Sequence, residues 1–447
     1  MTLGCAAMTN MYLLIPAAVL LSTSCGSPPP TYWADAKPIL DGRCVSCHSP
    51  GEVAPFALND YSAAADVARL LPGVLERRVM PPWLAAPGHR SYEADPSLTE
   101  EQLATLLAWE EAGAPEGEPT EEGDGLFSVY QALDRVDNRI PMQEPYVPGS
   151  IGDEYRCFVL HWPEDGGDYV TGFNALPGNR AVVHHIAAFL MPPDTLMGEG
   201  LFETLGEWEA IDPEPGYTCF GGPAGAEGVN IPAQQLAQWV PGGGAFTFPE
   251  GTGIPIPARS RIVLQMHYFS TGPNPAPDTT TLEFRTEDEV EHRAAFAPWL
   301  DVGWVSGSMG IPALAPFTEH SVQGDPRGFF RLAAGDLELD AGFRIHAALM
   351  HMHRLGVMGE IVLVRGDGSE EVVLEIPEWD FDWQINYILS DPLLFEDGDE
   401  LRVRCVWDNS AENQPMDGDV RREPRDVNWG EGTVDEMCVG NLYISEL

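Results

Sequence analysis

Phe343-Arg344-Ile345-His346-Ala347-Ala348-Leu349-Met350-His351-Met352-His353 is the stretch whose reading decides the fold. Apolar residues occupy both parities of the run, the pattern of a strand buried on both faces. Residues two apart on a strand share a face, so His351 and His353 project together while Met352 points away. Two imidazoles on one rigid face make half of a metal site, suited to copper, zinc, iron or nickel. A pair of hydrogen-bonded polar side chains is the alternative reading. The pair is not isolated, however. The chain has 11 histidines, and six of them, His48, His184, His185, His267, His351 and His353, fall into ligand patterns.

Outward from this strand, further apolar runs separated by Gly/Pro turns cover residues 156–162, 169–174, 181–191, 261–269, 360–364, 401–407 and 442–444. Short strands at such spacing predict a mostly β protein of sandwich type. A length of 447 residues exceeds one ordinary core. The pattern divides into a first β-sandwich over 130–275 and a second over 276–447, preceded by a small all-α domain over 31–117 and an acidic Gly/Pro/Glu linker over 118–129.

The α domain carries Cys44-Val45-Ser46-Cys47-His48. This is the spacing of covalent haem c attachment: two thiols add to the haem vinyls and the adjacent imidazole becomes the proximal iron ligand. A zinc or thioredoxin-like use of the Cys pair is the alternative. Met80 is the single methionine between residues 12 and 141 and is the candidate distal ligand, with His89 the second choice. Residues 98–109 read as the closing amphipathic helix, with Thr99 and Gln102 in capping-box positions. The segment resembles small class I c-type cytochromes.

The N-terminus reads as an export signal over residues 1–25. A short uncharged apolar run over 12–21 precedes Leu21-Ser22-Thr23-Ser24-Cys25-Gly26, which resembles a bacterial lipoprotein cleavage site with Cys25 as the acylated residue. The expected location is therefore the periplasm or the outer membrane, with a lipid anchor as the membrane contact. The formal net charge of −45, with Lys37 the single lysine, repels phosphate backbones and excludes a nucleic-acid partner.

The β region holds the remaining candidate ligands. His184-His185 follow each other on an apolar run, so both can serve one metal only where the strand twists, bulges or ends. Leu264-Gln265-Met266-His267-Tyr268 offers a third imidazole, and Asp435-Glu436-Met437-Cys438 sets a thioether beside a cysteine. Thioether and imidazole together suit a copper that cycles between Cu(I) and Cu(II). His161, His292, His320 and His346 read as structural or surface residues, with His346 the nearest of them to the expected copper. Residues 381–387 are polar and aromatic enough to line a cleft, although a packed strand is the plainer expectation.

The ordered set HH, HY, HMH, EMC over about 130–447 resembles the copper type II ascorbate-dependent monooxygenases, which include the peptidylglycine α-hydroxylating and dopamine β-hydroxylating enzymes. The resemblance implies two jelly-roll-like sandwiches facing each other across an open cleft, each with one copper ion. His184, His185 and His267 would hold the electron-storing copper, and His351, His353 and Met437 the copper that activates dioxygen. It also implies a Cys405–Cys438 disulfide beside Met437. Cys157 and Cys219 then remain as a possible second pair, other connectivities being allowed. Where the peptide-amidating members carry a carboxylate-binding arginine, this chain has Leu349. The Asn and Tyr that follow the family's MC motif stand here at Asn441 and Tyr443, displaced by two residues. The implied activity is hydroxylation of a small-molecule or peptide substrate by O2, with electrons entering through the haem from a donor. The rival reading is a periplasmic copper/haem redox-sensing or electron-transfer protein, which a lack of any substrate-sized cavity at the ligands would favour.

Overall fold

The computed structural model describes residues 28–50, 54–119, 132–149, 152–193, 200–219, 222–225, 233–240, 244–270, 275–417, 420–430 and 432–447. Cys25 and linker residues 120–129 lie outside them. The described chain is mostly β, with short helices near its start.

Those helices, Lys37–Arg43, Tyr61–Val67, Leu71–Leu75 and Glu100–Glu111, enclose their own small core of Tyr32, Leu40, Leu71, Leu75, Leu106 and Trp109. Thr99 accepts from the Gln102 amide while the Gln102 side chain accepts from the Thr99 amide, so the last helix starts on the capping box its sequence carries.

Three large sheets, with a two-stranded ribbon of Met416–Asp417 and Val420–Arg421, build most of the rest. A five-stranded sheet orders Tyr217–Thr218, Gly152–His161, Arg261–Ser270, Val183–Met191 and Gln234–Trp239. A four-stranded sheet orders Thr318–Gly324, Glu400–Trp407, Gly356–Val364 and Glu370–Ile376. Between them runs a nine-stranded sheet common to both halves of the molecule. Its strand His292–Trp299 pairs in parallel with Thr252–Pro255 on one side and antiparallel with Val439–Ser445 on the other. Val439–Ser445 in turn pairs with Phe343–His351. Thr281–Glu287, downstream of residue 275, pairs with Asn138–Pro141 and Tyr169–Leu176 in the first half.

Alternation along the shared strands sends their two faces to different cores. Phe296, Ala347 and Tyr443 join the core under the five-stranded sheet. Ala295, Ala297, Ala348, Met350, Leu442 and Ile444 join the core under the four-stranded sheet. That double burial is why Phe343–His351 is apolar at both parities. His346 sits where the register shifts between Ile345 and Ala347.

The segment after Met80 straps the helical unit to the second half. The Ala86 amide donates to the Glu375 carbonyl and the Glu93 amide to the Ile388 carbonyl, and Tyr92 forms a bridge with Leu389. Trp83 packs edge-on against Tyr387 with ring centroids 4.8 Å apart.

Candidate metal centre

The first ligand set is assembled by register. Tyr155, His267 and His185 stand side by side across three strands of the five-stranded sheet. The register slips between Val183 and His185, which frees His184 from strict alternation and turns it to the same site. Ligand atoms of His184, His185 and His267 all lie within 4.8 Å of one another. His185 Nδ1 is 3.2 Å from His267 Nδ1 and 3.4 Å from His184 Nδ1. His267 Nε2–H donates to Asp153 Oδ1 at 2.8 Å, which leaves its Nδ1 lone pair aimed at the cluster. Tyr155 stacks on the His267 ring at 4.2 Å.

The unprotonated state that metal binding needs is favoured here. Burial, then the neighbouring imidazoles, pushes His185 well below the ordinary histidine range. Burial lowers His267 too, against the pull of Asp153, and the His267 hydrogen bond holds Asp153 below the usual carboxylate range. Neutral imidazoles present lone pairs, and three converging ones fit a copper or zinc ion.

The second set lies at the end of Phe343–His351. Rings of His351 and His353 are 5.1 Å apart. His351 Nδ1–H donates to Gln384 Oε1 at 2.6 Å and His353 Nδ1–H to the Asp435 carbonyl at 3.1 Å. Both Nε2 atoms are thereby left as ligands. Burial lowers His351, and burial followed by His351 lowers His353 to about 3. Behind them Glu436 is fully buried and accepts from the His353 amide, the Leu355 amide and Trp407 Nε1. Burial pushes its carboxyl up to about 7. Met437 is buried, and the following Cys438 is disulfide-bonded to Cys405. A second disulfide joins Cys157 to Cys219 beside the first set.

The two sets meet. His185 from the first and His351, His353 and Met437 from the second line a single cavity of ≈ 220 Å³. The Phe381 ring stands 6.1 Å from both His184 and His353. The cleft expected between the sandwiches corresponds to this shared cavity, and the common sheet joins the two halves beneath it. Residues 381–386 form no regular strand, and Phe381 and Gln384 line the cavity, so the packed-strand expectation for this stretch fails until Tyr387.

In the helical unit Cys44 and Cys47 form no disulfide and sit on one turn with His48, whose amide donates to the Cys44 carbonyl at 2.9 Å. His48 Nδ1–H donates to the Phe56 carbonyl at 3.0 Å, leaving Nε2 as an axial ligand atom. Burial pushes the Cys44 thiol up to about 12, contrary to a thioredoxin-like nucleophile. These features fit haem attachment. Met80 is partly exposed and lines a cavity with Leu75, Leu98 and Leu103, whereas Cys44, Cys47 and His48 do not line it. His89 is paired to Glu375 at 2.7 Å. His346 is bonded to Ser445 Oγ and His320 to the Gly310 carbonyl, both outside the cavity between the two ligand sets.

Asp153 and Tyr155 were not legible as site residues. Asp153 and Tyr155 reach His267 only through strand register. Gln384 lies in the polar-aromatic stretch 381–387, which was a usable signal.

Comparison with known proteins agrees with this geometry. Residues 331–445 match the family model "Copper type II ascorbate-dependent monooxygenase, C-terminal domain". Dopamine beta-hydroxylase of Rattus norvegicus is 24% identical over 306 residues, covering 65% of this chain and 43% of that protein. DBH-like monooxygenase protein 2 of Mus musculus is 22% identical over 308 residues, covering 62% and 43%. The chain thus spans about two fifths of the length of the curated relatives it matches. Among solved structures, the exported protein XepA shares 5% identity at a TM-score of 0.16, covering 60% of this chain and 86% of that one, a likeness too low to carry an argument. The fold, the ligand sets and the sequence matches together support the copper type II monooxygenase family.

Proposed function

We propose that the protein is an exported copper monooxygenase whose electrons arrive through its own haem c unit. The observation that carries this reading is the shared cavity, in which His185, His351, His353 and Met437 surround one space. A sensor or pure electron carrier has no need of such a cavity. Hydroxylation converts R–H, O2, two electrons and two protons to R–OH and water. Copper bound at the two sets would supply single electrons and dioxygen reduction, and haem at Cys44, Cys47 and His48 would relay electrons from an external donor.

The chain's own residues hold this arrangement. Asp153 fixes the His267 tautomer, Gln384 and the Asp435 carbonyl fix those of His351 and His353, and Met437 adds a soft donor that favours Cu(I). The strap over residues 83–93 sets Trp83 against Tyr387, three residues after the Gln384 that bonds His351. This contact supports electron supply from the helical unit. Two disulfides are compatible with an oxidising compartment, and no helix among the described residues is long and apolar enough to cross a membrane. Membrane attachment through a lipid on Cys25 is part of the proposal.

The test is elemental analysis with oxygen uptake on the purified protein. Copper at both sets and haem retained after acid-acetone extraction are expected. Met437→His should keep copper and lose most oxygen consumption, and His184→Ala should lose one copper and leave the other. Loss of both coppers from either variant would overturn the two-site assignment.

A further inference from the structure

We propose that the shared cavity takes an uncharged substrate with an apolar, ring-sized body and one hydrogen-bond donor, which Asn441 Oδ1 receives. The proposal rests on the copper monooxygenase reading only in calling this ligand a substrate.

The floor of the cavity is the common sheet. Register puts Pro298, Asn441 and Leu349 in one row across three strands, with Val439 opposite His351 in the next row along. All five line the cavity. Asn441 is therefore about 7 Å along the sheet from His351, two residues at strand rise. Tyr155, Phe189 and Phe381 supply aromatic walls.

No described residue lining the cavity is Lys, Arg, Asp or Glu. A carboxylate or ammonium group entering it would lose hydration without gaining a side-chain counter-ion, at a cost several times that of an uncharged group. Leu349 is decisive, because the position beside Asn441 is filled by a buried alkyl group.

Apart from Tyr155 and the imidazoles, the polar side chains of the lining are amides, most of them bonded to the protein. Gln384 Oε1 accepts from His351 while its Nε2 donates to the Phe381 carbonyl. Gln265 Nε2 donates to the Gly222 carbonyl at 2.8 Å. Gln235 Nε2 donates to Gln238 Oε1, so Gln235 Oε1 accepts from Asn441 Nδ2, at 2.6 Å. That chain of bonds leaves Asn441 Oδ1 as the spare acceptor. The residue is 7% exposed, and its Oδ1 is buried with no partner. An unmet acceptor of this kind costs about 1–3 kcal/mol in the free protein. The terminal amide torsion of asparagine is broad, so a small rotation offers Oδ1 to a donor in the cavity.

The full-length copper-loaded protein is titrated calorimetrically without oxygen using 4-ethylphenol, ethylbenzene, tyramine and 3-(4-hydroxyphenyl)propionate. The expected order has 4-ethylphenol at least about tenfold tighter than each of the others, the worth of one met hydrogen bond or one avoided charge burial. Asn441→Leu should bring 4-ethylphenol to the ethylbenzene level and leave ethylbenzene unchanged. Leu349→Arg should raise 3-(4-hydroxyphenyl)propionate above 4-ethylphenol. The proposal is overturned if either charged phenol matches 4-ethylphenol on the unsubstituted protein. It is equally overturned if 4-ethylphenol does not bind at millimolar concentration, or if Asn441→Leu leaves the phenol preference intact. Copper content of the same samples separates the two claims. A copper-poor protein that keeps the binding order overturns the monooxygenase reading and leaves the cavity assignment standing.

Discussion

Glu436→Gln tests whether the second ligand set is held from behind by one carboxylate. Glu436 is fully buried, and its two oxygens meet three donors: Oε2 takes the His353 amide at 2.9 Å and Trp407 Nε1 at 2.8 Å, and Oε1 takes the Leu355 amide at 2.6 Å. A glutamine can keep the two donors at Oε2 with its carbonyl oxygen. Its NH2 then confronts the Leu355 amide, so two donor groups are buried without acceptors. At about 1–3 kcal/mol for each, and less the relief of removing a buried charge, the expected loss is roughly 2–4 kcal/mol. For a sandwich of this size that lowers the unfolding midpoint by roughly 5–15 °C. Because the His353 backbone is one of the anchored groups, copper at His351, His353 and Met437 should weaken while copper at His184, His185 and His267 stays. Thermal unfolding by tryptophan fluorescence and copper analysis after graded dialysis measure the two effects. A midpoint within 1 °C of the parent, with both coppers retained equally, would refute the reasoning.

Two further outcomes follow from buried polar groups elsewhere. Asp153→Asn removes the anionic acceptor that orients His267, so affinity for copper at the first set should fall roughly 10–100-fold with the second set unaffected, read by competition against a chelator. An equal fall at both sets would count against it. His346 is held to about 4 by burial first, then by the charges of Arg344 and His292, and its polar neighbours are Ser445 Oγ and the Tyr443 ring. A folded pKa below the unfolded value of about 6.5 means the unfolded chain takes up a proton first as pH falls. Stability from this group is therefore full above pH ~6.5 and is lost progressively down to about 4, by up to ~3 kcal/mol. His346→Gln should flatten that slope in urea unfolding between pH 7 and 4, and superimposable slopes would dismiss it.

Ligand residues were legible in the sequence because few side chains can replace an imidazole or a thioether at a copper ion, so their types survive as motifs. The Cys405–Cys438 disulfide was implied only by the resemblance to the copper monooxygenase family, since the cysteine positions alone allow other pairings. What positions those ligands was not legible. His184 and His185 reach one site because the register slips between Val183 and His185, and a slip leaves no mark on an apolar run. Asp153 and Tyr155 lie more than 100 residues from His267 in sequence and meet it only through strand pairing. The apolar pattern predicted two sandwiches but could not disclose that they share a sheet, since a strand buried between two cores looks the same whichever domains supply them. That sharing has a mechanical consequence. His351 lies on a strand joined by continuous pairing through Val439–Ser445 and His292–Trp299 to Thr252–Pro255 in the first half. Parting the halves would require breaking ladder hydrogen bonds in this sheet, and the five-stranded sheet that carries the first ligand set is held over it by the core of Phe158, Leu160, Leu264, Phe296 and Tyr443. The cavity between them is therefore a fixed feature of the fold, and its uncharged lining constrains every substrate that reaches the second set.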